Sequence, residues 1–230
     1  MSSTPAKAKT LQRPTVRAGR PPRELAGEVD ERILDAARRV FMERGLAGAS
    51  IDEIARIARA GKPTIYARYP TKEALFAAVG MRNAANVTAR FSGYAMAGGT
   101  LEERLLSVGR DMLKRLLVDD VVDFMRLAAA EARRIPGLAN YGRKARERGV
   151  EAALEALREA AGPEDIERFP ALAAEHLPAT AQVFVDLVVG RLLMRALVGE
   201  SLKLVRSEVD AHVTRSVAFF MAGCRHSGPE

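Results

Sequence analysis

Only one cysteine, Cys224, occurs in the 230 residues, so no disulfide can form within the chain and a reducing cytoplasm is the expected setting. Histidine is nearly as scarce. His176, His212 and His226 have no His, Cys or carboxylate partner at ligand spacing, so no zinc site is expected, and His212 reads as an interface or capping residue. No glycine-rich phosphate loop is present. No catalytic constellation stands out either, so the chain reads as a non-enzyme without metal or cofactor. An enzyme would need a polar cluster with shifted pKa values in a cleft. No apolar stretch follows the N-terminal charges as in a signal peptide, and no uncharged apolar run is long enough to suggest a bilayer span. Alternating β-branched segments are missing too, which points to an all-α fold.

What is present is an ordinary globular composition, 48% hydrophobic and 28% charged, with a formal net charge of +7. Much of the surplus lies at the front, where Lys7, Lys9, Arg13, Arg17, Arg20 and Arg23 face only Glu24 and Glu28 before Val29. Residues 1–27 are too poor in large apolar groups to order themselves and are expected to be a disordered basic arm. Within it, Arg17-Ala18-Gly19-Arg20-Pro21 partly resembles an AT-hook. Arg17 and Arg20 are therefore candidates for minor-groove entry, with a solubilising tail as the alternative.

Residues 28–80 read as a DNA-binding domain of short helices. Val29, Ile33, Ala36, Ala37, Val40 and Phe41 share one helical face. Gly45 can take positive φ where that helix ends, and Leu46 can fold back onto it. Ser50 is a good N-cap for a second helix with Ile51, Ile54, Ala55 and Ala58 inward. Arg59, Ala60 and Gly61 leave the three-residue turn of a helix-turn-helix. Lys62 and Pro63 then open a third helix, in which Ile65 and Tyr69 look inward. Lys62, Thr64, Tyr66, Ala67 and Arg68 are left outward, combining phosphate-seeking cations, a hydroxyl, a phenol and a small apolar surface suited to a thymine methyl. Lys72 lies in the first turn of a fourth helix, where free N–H groups and the helix dipole also favour an anion.

The run Thr64-Ile65-Tyr66, Tyr69, Lys72-Glu73 and Leu75-Phe76, following Ile54-Ala55, resembles the DNA-binding domain of the TetR (tetracycline-repressor) family of dimeric bacterial regulators. The resemblance implies that Ser50, Tyr66, Arg68 and Lys72 hold the DNA backbone and that Lys62, Pro63 and Thr64 enter the groove, with Ala67 facing it as well. Where that family usually has Gly-Val-Ser between its second and third helices, this chain has Arg59-Ala60-Gly61. Arg59 must then bear whatever turn conformation the glycine normally takes.

Residues 81–230 read as a larger helical bundle, which the resemblance implies is the effector-binding and dimerisation domain. The fourth helix should run from Thr71 to about Phe91 and stop near Gly93, Gly98 and Gly99. Thr100-Leu101-Glu102-Glu103 is a capping box opening a helix to about Val118. Further helices are expected over about 121–134, 138–161 and 179–198, with short helical pieces over 164–177 and a last helix capped by Ser207. Phe124-Met125-Arg126-Leu127 with Glu131-Ala132-Arg133-Arg134 and Pro136 resembles the C-terminal domain of an AefR-type subgroup. Met112, Leu116, Phe124, Met125, Leu127, Tyr141, Phe184 and Met194 are candidate walls of an effector pocket, because methionine and aromatic side chains make adaptable apolar linings, although each such residue is more often plain core. The last two long helices carry more apolar surface than one core needs. The TetR resemblance implies that this pair of helices forms the dimer interface, so Val183, Leu187, Gly190, Val213, Val217 and Phe220 are expected there, with burial inside the protomer's own core as the alternative.

The resulting expectation is a sequence-specific DNA-binding transcriptional regulator. It would be a homodimeric, cytoplasmic repressor that reads a pseudo-palindromic double-stranded operator, is released by a small apolar effector, and has no membrane partner. The alternative is an architectural DNA-binding protein that needs no effector.

Overall fold

The computed structural model describes residues 23–88, 99–135 and 138–225. All regular elements among them are helices: α1 (Arg23–Gly48), α2 (Ile51–Ala58), α3 (Lys62–Arg68), α4 (Lys72–Thr88), α5 (Leu101–Leu116), α6 (Asp119–Glu131), α7 (Leu138–Ala160) and α8 (Pro163–Arg168), then a 3₁₀ turn over Pro170–Leu172. Helices α9 (Leu177–Leu197), α10 (Leu202–Ser207) and α11 (Val209–Cys224) complete the chain. Residues 1–22 of the N-terminal arm and the expected stops near Gly93, Gly98 and Pro136-Gly137 lie outside the described residues, whereas residues 23–27, expected to belong to a disordered arm, open α1.

The first core is built by α1–α4 from the positions their periodicity marked. Ile33, Ala37, Val40, Phe41, Ile54, Ile65, Leu75 and Phe76 are all buried in it. Gly45 has φ 68°, ψ 174°, which breaks α1 and lets Leu46 turn inward. Phe41 of α1 meets Phe76 of α4 edge-on, with ring centroids 5.1 Å apart.

The second core lies between α5, α7, α9 and α11, where Leu105, Met112, Leu157, Phe184, Val188, Leu192, Val213 and Val217 are enclosed. Its helices start where local chemistry favours them. At α5, Thr100 Oγ accepts from the Glu103 N–H and the Glu103 carboxylate accepts from the Thr100 N–H at 2.8 Å, the capping box read from the sequence.

Helix α9 contains a feature that its composition conceals. Its buried residues Phe184, Val188, Leu192 and Ala196 recur every four positions, a spacing that drifts around a 3.6-residue helix. A π turn over Asp186–Gly190 absorbs the drift and keeps them on one face. Two carbonyls in that turn are taken up by α11: His212 Nε2 donates to Val188 O at 2.9 Å, and Ser216 Oγ donates to Leu187 O at 3.1 Å. His212 is thus a buried packing and hydrogen-bonding residue.

Two sequence expectations change here. Ser207 does not cap the last helix. It ends the unforeseen α10, its hydroxyl donating to Leu204 O at 2.7 Å, and Glu208 precedes α11. Leu177–Leu197 is by length and composition apolar enough to cross a membrane, but Asp186, Arg191 and Arg195 interrupt it, so it is not an uncharged run, and Phe184, Val188 and Leu192 are buried in the second core. Val213, Val217 and Phe220 are enclosed in the protomer's own core and cannot meet a second copy. Their shared face is real, but it packs against α5 and α9, with Phe220 edge-on to Phe184 at 5.0 Å.

Helix α6 joins the two cores. Its Phe124 stacks on Phe76 at 4.9 Å, and its Asp120 pairs with Arg38 of α1 at 2.9 Å. On the other side, Arg126 donates from Nε and a terminal nitrogen to Ala196 O of α9, at 3.1 and 2.5 Å. A second seam lies between α4 and α7. A Cβ built on Gly80 would stand 2.0 Å from the Tyr141 hydroxyl, so the ring sits directly on the α4 backbone and only glycine fits beneath it. Burial pushes the Tyr141 phenol up to about 12.

Candidate nucleic-acid interface

The reader is assembled from short-range signals. Ser50 has extended backbone, and its Oγ accepts from the Asp52 N–H at 3.2 Å, capping α2 as its sequence position indicated. Two hydrogen bonds close α2 at its other end, from Arg59 N–H to Arg56 O at 3.4 Å and from Ala60 N–H to Ala55 O at 3.0 Å. That is a Schellman closure, and its left-handed position (φ 50°, ψ 45°) is occupied by Arg59 rather than glycine. Gly61 then precedes α3 without a side-chain cap, and Pro63 occupies its first turn.

Ile65 pins α3 to the core, while its C-terminal end is tied to α1 through Asp30. The Tyr69 hydroxyl donates to Asp30 Oδ1 at 2.9 Å, and Arg68 Nε lies 3.3 Å from the same oxygen. Burial, and then the Asp30 hydrogen bond, raises the Tyr69 phenol well above its ordinary range. Arg68 also donates to Thr64 O at 3.3 Å. The resemblance implies that Arg68 grips the DNA backbone; in the free protein it is engaged with α1.

Ser50, Lys62, Tyr66 and Lys72 converge on one shallow cleft of about 350 Å³, shared with Ala49, Ile51 and Asp52. Across it, Lys62 Nζ pairs with Asp52 at 2.5 Å, and this hydrogen bond raises the lysine pKa. Lys72 Nζ donates to Ala47 O at 3.1 Å and Ala49 O at 3.0 Å, fastening the α1–α2 loop to the start of α4. Pro63 and Ala67 are exposed beside the cleft, Thr64 is half-buried, and Tyr66 is 47% exposed although its neighbour Ile65 is fully buried. Arg17 and Arg20 lie outside the described residues. Sequence reasoning missed Asp30 and Asp52. Asp52 had a signal in its place at the second position of a capped helix, whereas Asp30 is 39 residues from Tyr69 and had none.

The proposed effector wall does not assemble. Met112 and Phe184 are enclosed in the second core with Leu116 against it, whereas Phe124, Leu127 and Tyr141 belong to the first. Met125 is half-buried, and Met194 is exposed on the outer face of α9. Residue type marked these side chains as apolar packing but could not assign them to a core. Cys224 is buried in the second core, which raises its thiol to about 11 and leaves it protonated near neutrality.

Of the expected interface residues, Val183 is exposed, Leu187 is half-buried, and nothing lies within 4 Å of a Cβ built on Gly190. Also exposed are Met194 on α9, Val198 just beyond its end, Leu204 on α10 and Phe219 on α11. Val198 is 75% and Phe219 72% exposed.

Residues 33–79 match the tetR family of bacterial regulatory proteins, and residues 103–224 match the C-terminal domain of AefR-like transcriptional repressors. Over 48 residues the chain is 54% identical to the HTH-type transcriptional repressor SCO4008 of Streptomyces coelicolor, a stretch that is 21% of this chain. It spans 25% of the length of that curated relative. A solved TetR-family regulator from Mesorhizobium loti is similar over 86% of this chain and 96% of its own, with TM-score 0.72 and 22% identity. The flavonoid-responsive regulator FrrA is similar over 86% and 98%, with TM-score 0.61 and 25% identity. FadR, a fatty acid degradation regulator from Bacillus halodurans, is similar over 85% and 99%, with TM-score 0.59 and 19% identity.

Proposed function

Since the chain belongs to the TetR family of transcriptional regulators, with a helix-turn-helix DNA-binding domain and an AefR-like C-terminal domain, we propose that it is a dimeric repressor reading a pseudo-palindromic operator. The observation that carries this reading is the single cleft lined by Ser50, Lys62, Tyr66 and Lys72, with the exposed Pro63 and Ala67 beside it. In this arrangement Ser50, Tyr66 and Lys72 hold the phosphate backbone, while Lys62, Thr64 and Ala67 present groups to base edges. Arg68 joins the backbone contacts by exchanging Asp30 for phosphate, and Arg17 and Arg20 add a basic arm.

The partner that covers the exposed apolar surface is a second copy of the chain, seated on Val183, Leu187, Gly190, Met194, Val198 and Phe219. An isologous dimer presents two recognition helices to half-sites about 34–36 Å apart, or a multiple of that. A small apolar effector, of the kind the name of the flavonoid-responsive relative suggests, acts by shifting α6. That helix holds Ala196 of the dimer-forming α9 through Arg126 and Phe76 of the reader through Phe124, so its displacement alters the spacing of the two heads. The setting is the cytoplasm.

Selection of duplexes from a random library with the full chain tests this reading. The expected product is a two-fold symmetric site, and addition of the effector releases it. Tight binding without base preference and without response to any small molecule favours the architectural alternative.

A further inference from the structure

We propose that Arg59, in the turn between α2 and α3, contacts DNA phosphate, and that the chain tolerates a strained backbone there in order to place this cation. The inference rests on the DNA-binding reading above. Among the described residues, Arg59 is the only non-glycine residue with positive φ. The fold uses only its backbone at this point, through the two hydrogen bonds that close α2. Glycine would make those bonds without the clash that a Cβ brings in the left-handed region.

The Arg59 side chain gives the fold nothing in return. It is exposed and has no hydrogen bond or ion pair among the described residues. Of the basic residues around it, Lys62 is occupied by Asp52, Arg68 by Asp30, and Lys72 by the carbonyls of Ala47 and Ala49, while Arg56, one turn earlier on α2, is exposed. Arg59 therefore presents an uncommitted guanidinium three residues ahead of Lys62, at the end of α3 that enters the groove in a helix-turn-helix complex. A planar guanidinium matches two phosphate oxygens at once.

The test measures the affinity of a selected operator against salt concentration, with urea unfolding alongside, for the wild type and for Arg59→Gly, Arg59→Ala and Arg59→Lys. Each lost phosphate contact lowers the slope of log affinity against log salt by about 0.9, so a dimer carrying Arg59→Gly should lose about 1.8. Between 50 and 200 mM salt the wild type should then lose about 12-fold more affinity than this variant. Arg59→Gly should also raise the urea midpoint. Arg59→Ala should lower the slope equally without that gain, and Arg59→Lys should retain the slope. An unchanged slope for Arg59→Gly in a wild-type background that binds the operator overturns this proposal alone. A wild type that binds no duplex overturns the DNA-binding reading together with it.

Discussion

Phe124→Ala is the most informative perturbation of the scaffold, because it asks to which core α6 belongs. The ring is enclosed, 2% exposed, and stacks at 4.9 Å on Phe76, which in turn meets Phe41. A buried phenylalanine removes roughly 150 Å² from water, about 4 kcal/mol at about 25 cal/mol per Å². Truncation to alanine at such sites typically costs about 3–5 kcal/mol. Set against an ordinary domain stability of about 5–15 kcal/mol, the variant should fold but sit close to its limit. The loss should also have a location. Urea unfolding gives the magnitude, and native-state hydrogen exchange gives the place, with protection lost first in α1 and α4 although the substitution is in α6. Operator affinity should fall as the reader loosens. Exchange that accelerates only in α5, α9 and α11, with α1 and α4 unchanged, would refute the reasoning, as would a stability loss below about 1 kcal/mol.

Phe219→Asp should leave the protomer folded and shift it to monomer, because the ring is 72% exposed within one chain. A central interface anchor contributes about 2 kcal/mol in each of two symmetric copies, about a thousandfold in dissociation constant. Val217→Asp, aimed at the enclosed face, should instead unfold the chain; sedimentation and circular dichroism separate the two outcomes, and a dimeric Phe219→Asp contradicts the proposed seam. Tyr141 gives a pH dependence. Its phenol is raised to about 12 in the fold against about 10 unfolded, so the stability it contributes is complete below pH about 10 and is lost as pH rises towards 12. Tyr141→Phe keeps the ring over Gly80 and should flatten that alkaline decline in urea titrations, whereas an unaltered decline shows that the phenol is not held neutral by the fold.

Signals confined to a few residues were legible in the sequence. Gly45 turning the end of α1, Ser50 capping α2 and the Thr100–Glu103 box each depend on neighbours within about four positions, where residue type and backbone geometry are tightly linked. What escaped depends on distant partners. The periodicity of Val213, Val217 and Phe220 showed a common apolar face, but burial against α5 or against a second copy requires the same chemistry, and only the packing distinguishes them. Phe124 posed the same problem between two cores. The π turn was concealed because every residue of Asp186–Gly190 is compatible with ordinary helix; its sign was the four-residue spacing from Phe184 to Ala196. In the candidate interface, Lys62, Tyr66 and Lys72 were visible from their places on the recognition and fourth helices. The Asp30 anchor that holds Tyr69 and Arg68 was not, since nothing in either segment points to the other.

The central claim is that the exposed end of α3 reads DNA, and the most direct test is to repeat the duplex selection with Tyr66→Ala and Thr64→Val and to measure affinities at fixed salt. Tyr66→Ala should select the same site and bind every duplex more weakly by a similar factor, because in the proposed arrangement the phenol holds phosphate. Thr64→Val, which removes a hydroxyl from the first turn of α3, should change the preferred bases within each half-site, at about 1–3 kcal/mol per altered base pair. Identical selected sites and affinities for both variants and the wild type would contradict the account.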